Sequence, residues 1–114
     1  MRRLREILSI PGDRVGKARR ISAAIRETGG YRWVGVYDVS ADEIGVVAWS
    51  GPSRDPRYLP TLGTTRSEIV VPVVGTSGQV VGLLDVESEP PDAFGTEDHR
   101  CLEECAANLT PLWG

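Results

Sequence analysis

The chain predicts an α+β fold: an antiparallel sheet with helices from both ends of the chain gathered on one of its faces. Three observations carry that prediction. Apolar residues recur at helical spacing near both termini. Between them, apolar segments of strand length are punctuated by short turns. The order of elements is helix, two strands, a loop, two strands and a closing helix, which separates helices from sheet instead of alternating them. At 114 residues the chain is one domain, large enough for a single core.

The elements follow in order. Leu4, Ile7 and Leu8 lie at helical spacing before Pro11-Gly12 breaks the run, so residues 1–12 read as a helical extension and 13–114 as the domain proper. Asp13 is an N-cap for a second helix with Val15, Ala18, Ile21, Ser22 and Ile25 on its apolar stripe, closed by Gly29-Gly30. Tyr31 to Val39 is a strand carrying Trp33, Val34, Val36 and Tyr37; Ser40-Ala41-Asp42 turns it, and Glu43 to Trp49 returns antiparallel. From Ser50 to Thr65 the periodicity fails, leaving a loop in which Arg57, Tyr58 and Leu59 are placed to make one short turn. A hairpin over 66–87 follows, and Pro72 within it demands an edge position or a bulge. Thr96 is expected to cap the last helix, with Cys101, Leu102, Cys105, Ala106 and Leu109 on its apolar face.

Composition excludes more than it selects. A formal net charge of −3 does not favour nucleic acid as a partner, and no apolar run is long enough to span a bilayer. Met1-Arg2-Arg3 is not followed by the apolar stretch of a signal peptide, so the expected location is cytoplasmic. Nine of the 13 Lys and Arg fall in residues 2–32 and eight of the 16 acids in 85–104, so the two ends should attract each other, within one chain or across a dimer. Ile7, Leu8, Ile21, Ile25, Leu109 and Trp113 would supply the apolar patch of a homodimer built on the terminal helices. Cys101 and Cys105 lie one helical turn apart, where a disulfide would constrain almost nothing and where no further metal ligand accompanies them. They read as reduced thiols used for packing; neither a metal nor a cofactor is called for.

The stretch RSEIVVPVVGTSGQVVGLLDVES, residues 66–88, carries the chemistry. With Gly75 to Gly78 as the turn, Val74 faces Gln79, Val70 faces Leu83, Glu68 faces Asp85 and Arg66 faces Glu87. Arg66, Glu68, Asp85 and Glu87 then share one face, where like charges side by side cost stability unless something positive joins them. Either Arg66 neutralises a wet network, or the carboxylates form the amine-receiving floor of a small-molecule pocket. Trp33 and Tyr37, four apart on a strand, share a face and belong either to the core or to that pocket.

The linked order of YRWVGVYDV, SEIVVPV, VVGLLDVES and FGTEDHRCLEE resembles a GAF domain across roughly residues 13–110, and within that superfamily it is most similar to free methionine-(R)-sulfoxide reductases. The resemblance implies a small-ligand-binding module of bacterial signalling, and it matches Glu68 and Asp85 to acids that hold the substrate amine; Glu87 stands where those enzymes usually have Asp. Their active cysteines lie between the second strand and the SEIVVP strand, an interval that here contains no cysteine and lacks the stretch that supplies a lid helix and another strand. The expectation is therefore a noncatalytic sensory or ligand-binding domain with a site at Glu68, Asp85, Glu87, Trp33 and Tyr37, the lid segment deleted. Tyr58, Leu59 and Leu62, or a partner subunit, would refill the open side. The alternatives are a dimerisation module with a vestigial pocket and, last, a divergent reductase.

Overall fold

Four antiparallel strands in the order β2-β1-β4-β3 form the sheet of the computed structural model, which describes residues 2–52, 67–88, 90 and 93–113. The strands are β1 (Trp33–Val39), β2 (Ile44–Ser50), β3 (Ser67–Val74) and β4 (Val80–Ser88), and the helices are α1 (Arg2–Ser9), α2 (Arg14–Gly29) and α3 (Thr96–Ala107). A short 3₁₀ turn, Thr110–Trp113, ends the chain. The α+β architecture is the one the sequence predicts. The loop residues Arg57, Tyr58, Leu59 and Leu62, and Arg66, lie outside the described residues.

Side-chain alternation divides the sheet into an oily face and a charged one. Val34 and Val36 of β1, Ile69, Val71 and Val73 of β3, and Leu84 and Val86 of β4 meet Ala18, Ile21 and Ile25 of α2 and Leu102, Cys105 and Ala106 of α3 in one core. The helix α2 lies across β1 and β2, α3 lies across β3, and α1 packs on α2 through Leu4. Ile21, Ile25 and Leu109 are therefore buried inside the chain, and Ile7, Leu8 and Trp113 pack against the same core. The apolar patch expected on the terminal helices is largely used within one protomer.

Local chemistry sets the element ends. The Asp13 carboxylate accepts from Gly16 N at 2.8 Å and caps α2, while Gly30, with φ 67°, closes it. At α3 the cap is Gly95 and not Thr96: the Asp98 carboxylate reaches back to accept from Gly95 N at 3.0 Å, leaving Thr96 as the first helical residue. Tyr31 precedes its strand instead of opening it. Its hydroxyl donates to Asp98 Oδ1 at 2.7 Å and its ring lies 5.5 Å from that of Phe94, which ties the end of α2 to the start of α3.

The register of β3 with β4 differs from the sequence expectation by two residues. Val74 pairs with Val80, not Gln79, and a bulge at Val81 then carries Val73 opposite Gly82. Further along, Val70 faces Asp85 and Glu68 faces Glu87. The turn supplies one residue of the shift and the bulge the other. Because strand side chains have a period of two, the combined shift keeps every carboxylate on its expected face. Pro72 sits in β3, an edge strand, as its missing N–H requires.

The chain end is pinned to the sheet. The Trp113 indole donates to Asp38 Oδ1 at 2.8 Å, and the Arg14 guanidinium pairs with Asp38, lies 5.0 Å from the Trp113 ring centre and donates to Leu112 O at 2.9 Å. The Arg14 pair holds the Asp38 carboxyl below its ordinary value. Neither this pair nor the exposed Arg3–Glu27 pair at 3.5 Å joins the basic N-terminal region to the acids of 85–104.

The indole ring lies on Gly82, where a Cβ would sit 2.3 Å from Trp113 Cζ2 and 2.6 Å from Tyr37 O. Gly82→Ala is therefore expected to destabilise the fold by roughly 1–3 kcal/mol, as overpacking of a filled site does. Urea unfolding followed by tryptophan fluorescence measures this, and an unchanged midpoint would place Trp113 off the sheet in solution.

Candidate functional site

On the sheet face turned away from the helices, β4 presents Asp85 and Glu87. Asp85 is flanked by Gly35 of β1 and Val70 of β3; Glu87 is flanked by Trp33 of β1 and Glu68 of β3. One carboxylate oxygen from each of Glu68, Asp85 and Glu87 falls within 4.8 Å of the others. Asp85 and Glu87 are 0% exposed and Glu68 is partly buried. Glu68 Oε2 is shut off from solvent and makes no hydrogen bond.

Trp33 and Tyr37 stand on the same face, with ring centres 6.3 Å apart and planes inclined at 42°. Gly35 between them makes this possible: a Cβ there would lie 2.3 Å from Trp33 Cη2 and 3.1 Å from Tyr37 Cε1. The Trp33 ring thus lies along β1 across the glycine that neighbours Asp85. Both aromatics are buried, 0% and 1% exposed, yet they stand apart from the helix-side core. Arg32 N donates to Glu87 O at 2.9 Å and extends the β1–β4 ladder to the edge of the cluster.

All five residues singled out in the sequence come together on one face. What the sequence reading passed over is Gly35, whose signal is legible in retrospect: a glycine midway between two same-face aromatics. The two cysteines are elsewhere. Cys105 is buried in the helix-side core and Cys101, expected to pack beside it, is exposed. The sheet therefore separates both thiols from the carboxylates.

Three carboxylates this close cannot all carry charge without a compensating proton or cation. The Asp85 carboxyl is pushed up to about 10, first by burial and then by the adjoining Glu68 and Glu87 carboxylates. The arrangement can therefore hold a proton or exchange it for a positive group that offers hydrogen-bond donors.

No family model matches the chain. Over 54 residues, 47% of this chain, it is 32% identical to a free methionine-R-sulfoxide reductase of Saccharomyces cerevisiae, and the match spans 30% of that relative's length. Among solved structures, the free methionine-R-sulfoxide reductase of Neisseria meningitidis in complex with its substrate superposes with a TM-score of 0.83 at 24% identity, covering 98% of this chain and 84% of that one. A putative GAF sensor protein from Burkholderia vietnamiensis superposes with a TM-score of 0.80 at 22% identity, covering 96% of this chain and 82% of that one. The chain has a GAF-like fold. The solved structures it resembles include both a free methionine-R-sulfoxide reductase and a putative GAF sensor protein. No helix of the GAF-like domain is long and apolar enough to cross a membrane among the described residues.

The protonation of Asp85 has a measurable consequence. Its folded value lies above its ordinary 3.8, so between the two the folded chain binds more protons than the unfolded chain. Stability from this group is present at acid pH and falls as pH rises from about 4 towards about 10. Asp85→Asn should remove that decline and gain on the wild type by up to about 1.4 kcal/mol per pH unit. Urea unfolding of both proteins at acid, neutral and mildly alkaline pH tests this; parallel curves would show that Asp85 is ionised in the fold.

Proposed function

We propose that this GAF-like domain is a noncatalytic sensory module that binds a small molecule bearing a primary ammonium group. Glu68, Asp85 and Glu87 form the receiving floor and Trp33 and Tyr37 a wall. The observation that carries this reading is the convergence of three carboxylates beside two buried aromatics on the face away from the helices. A primary ammonium has three donors and no acceptor, which suits three carboxylates and supplies a partner for Glu68 Oε2. Free methionine sulfoxide, the substrate named for the similar reductases, carries such a group. A calcium-type ion takes about 6–8 oxygen ligands and gives the aromatic wall no role.

The noncatalytic part of the proposal rests on the thiols. A reducing nucleophile has to be an accessible thiolate close to its substrate. Here Cys105 is held as a thiol by burial, pushed up to about 11, and both cysteines lie across the sheet from the carboxylates. A dimerisation module on the terminal helices draws less support, because Ile21, Ile25 and Leu109 are inside the core and the exposed large apolar residues of that region are Ile10 and Val15.

A thermal-shift titration with free methionine, methionine sulfoxide, other amino acids and their N-acetyl forms tests the assignment. Amine-bearing ligands should raise the midpoint, by about 2.7 kcal/mol of stabilisation at a hundredfold excess over Kd, while N-acetyl forms leave it unmoved. Glu68→Gln and Asp85→Asn should abolish the response. Binding should tighten as pH rises, because the ammonium displaces the Asp85 proton, until the ligand itself deprotonates. A flat response across the panel rejects the reading, stabilisation by calcium alone reassigns the site to a metal, and turnover of methionine sulfoxide that is lost in Cys101→Ser makes the domain a reductase.

A further inference from the structure

We propose that Trp49 is a further aromatic contact of the ammonium site and selects ligands that carry an apolar group a few bonds from the nitrogen. This role rests on the ammonium reading and adds to it the chemistry at the far end of the ligand. Trp49 lies on β2, the edge strand next to β1.

The sheet register places it. Trp49 pairs with Gly35, Gly35 with Asp85 and Asp85 with Val70, so one row crosses all four strands. Directly opposed residues point to the same face, and Trp49 therefore stands on the face that carries the carboxylates. Neighbouring strands lie about 4.8 Å apart, which sets Trp49 two strand spacings from Asp85. The space between them is aromatic. The six-membered end of Trp33 lies over Gly35, where a Cβ would be 2.3 Å from Cη2 and 2.6 Å from Cζ3. At its other end, Trp33 Cδ1 would lie 2.6 Å from a Cβ at Gly51. The two glycines thus seat the Trp33 ring in the row between Asp85 and Trp49.

The same seating keeps Trp49 out of the packing at Gly35. Trp33 is laid on Gly35 and Trp113 on Gly82, so each of those indoles fills the hollow of a glycine. Trp49 faces a glycine that is already covered, and 37% of its surface stays exposed. A ligand held by its ammonium at Glu68, Asp85 and Glu87, and running along the row towards β2, brings its far end against that indole. A methyl group stops short of it. An alkyl chain or a ring spans the gap and takes apolar surface out of water on both partners.

Calorimetric titration of the full chain with methylammonium, n-butylammonium and 2-phenylethylammonium tests this. The wild type should bind the two larger amines about tenfold tighter than methylammonium, or more, as befits contact with a tryptophan. Trp49→Ala should erase that preference and leave the affinity for methylammonium unchanged, while Trp49→Phe should restore most of it. Val70→Ala, on the other flank of Asp85, should keep the preference. If Trp49→Ala does not fold, Trp49→Thr takes its place, since it keeps a strand-forming residue. A wild type indifferent to the apolar group, a preference that survives loss of the indole, or one lost in Val70→Ala instead would each overturn the assignment and leave the ammonium reading standing. A wild type that binds none of the three amines would remove both.

Discussion

Strand β4 alternates oil and charge, and the rest of the molecule is arranged around that fact. Leu84 and Val86 enter the core shared with α2 and α3, while Asp85 and Glu87 point the other way. A strand with hydrogen-bonded neighbours on both sides cannot turn one set of side chains inward without presenting the other on the opposite face. Burying the valine and leucine therefore forces two carboxyls onto the far face, and Glu68, opposite Glu87, makes a third. The same pleat that completes the core creates the electrostatic problem that the site has to solve.

The solution is local and specific. Burial and the neighbouring acids push the Asp85 carboxyl upward, towards the protonated form that relieves the repulsion among the three. Trp33 and Tyr37 can stand beside that cluster because Gly35 offers no Cβ to obstruct them. A floor that releases a proton when a cation arrives, beside an aromatic wall, suits recognition of an ammonium group. The sheet keeps Cys101 and Cys105 on the helix side, away from this face.

Much of this was legible in the chain. Asp13, Gly30 and Pro72 marked a helix start, a helix end and an edge strand, because capping and a missing N–H are properties of single residues. The carboxylates, Trp33 and Tyr37 were assigned to shared faces from spacing alone. The β3–β4 register differs from the sequence expectation by two residues, one from the turn and one from a bulge at Val81 that leaves no mark in an apolar run. Thr96 is expected to cap the closing helix but is its first residue; Gly95 is the cap, with the Asp98 carboxylate accepting from Gly95 N.

What the sequence by itself determined is the set of local rules: where helices start and stop, which strand residues share a face, and that three acids and two aromatics would lie on sheet faces. These depend on backbone periods and on the chemistry of near neighbours. Only the tertiary structure decided that Trp33 and Tyr37 flank the acids instead of filling the core, that Cys101 is exposed while Cys105 is buried, and that Trp113 closes onto Gly82 with Arg14 and Asp38. Those facts depend on strand order, on which sheet face the helices cover and on close approach between residues far apart in the chain, 75 positions in the Trp113–Asp38 bond and 98 in the Arg14–Leu112 bond. No local pattern encodes such distances, because they are set by which apolar surfaces the whole chain can bury together.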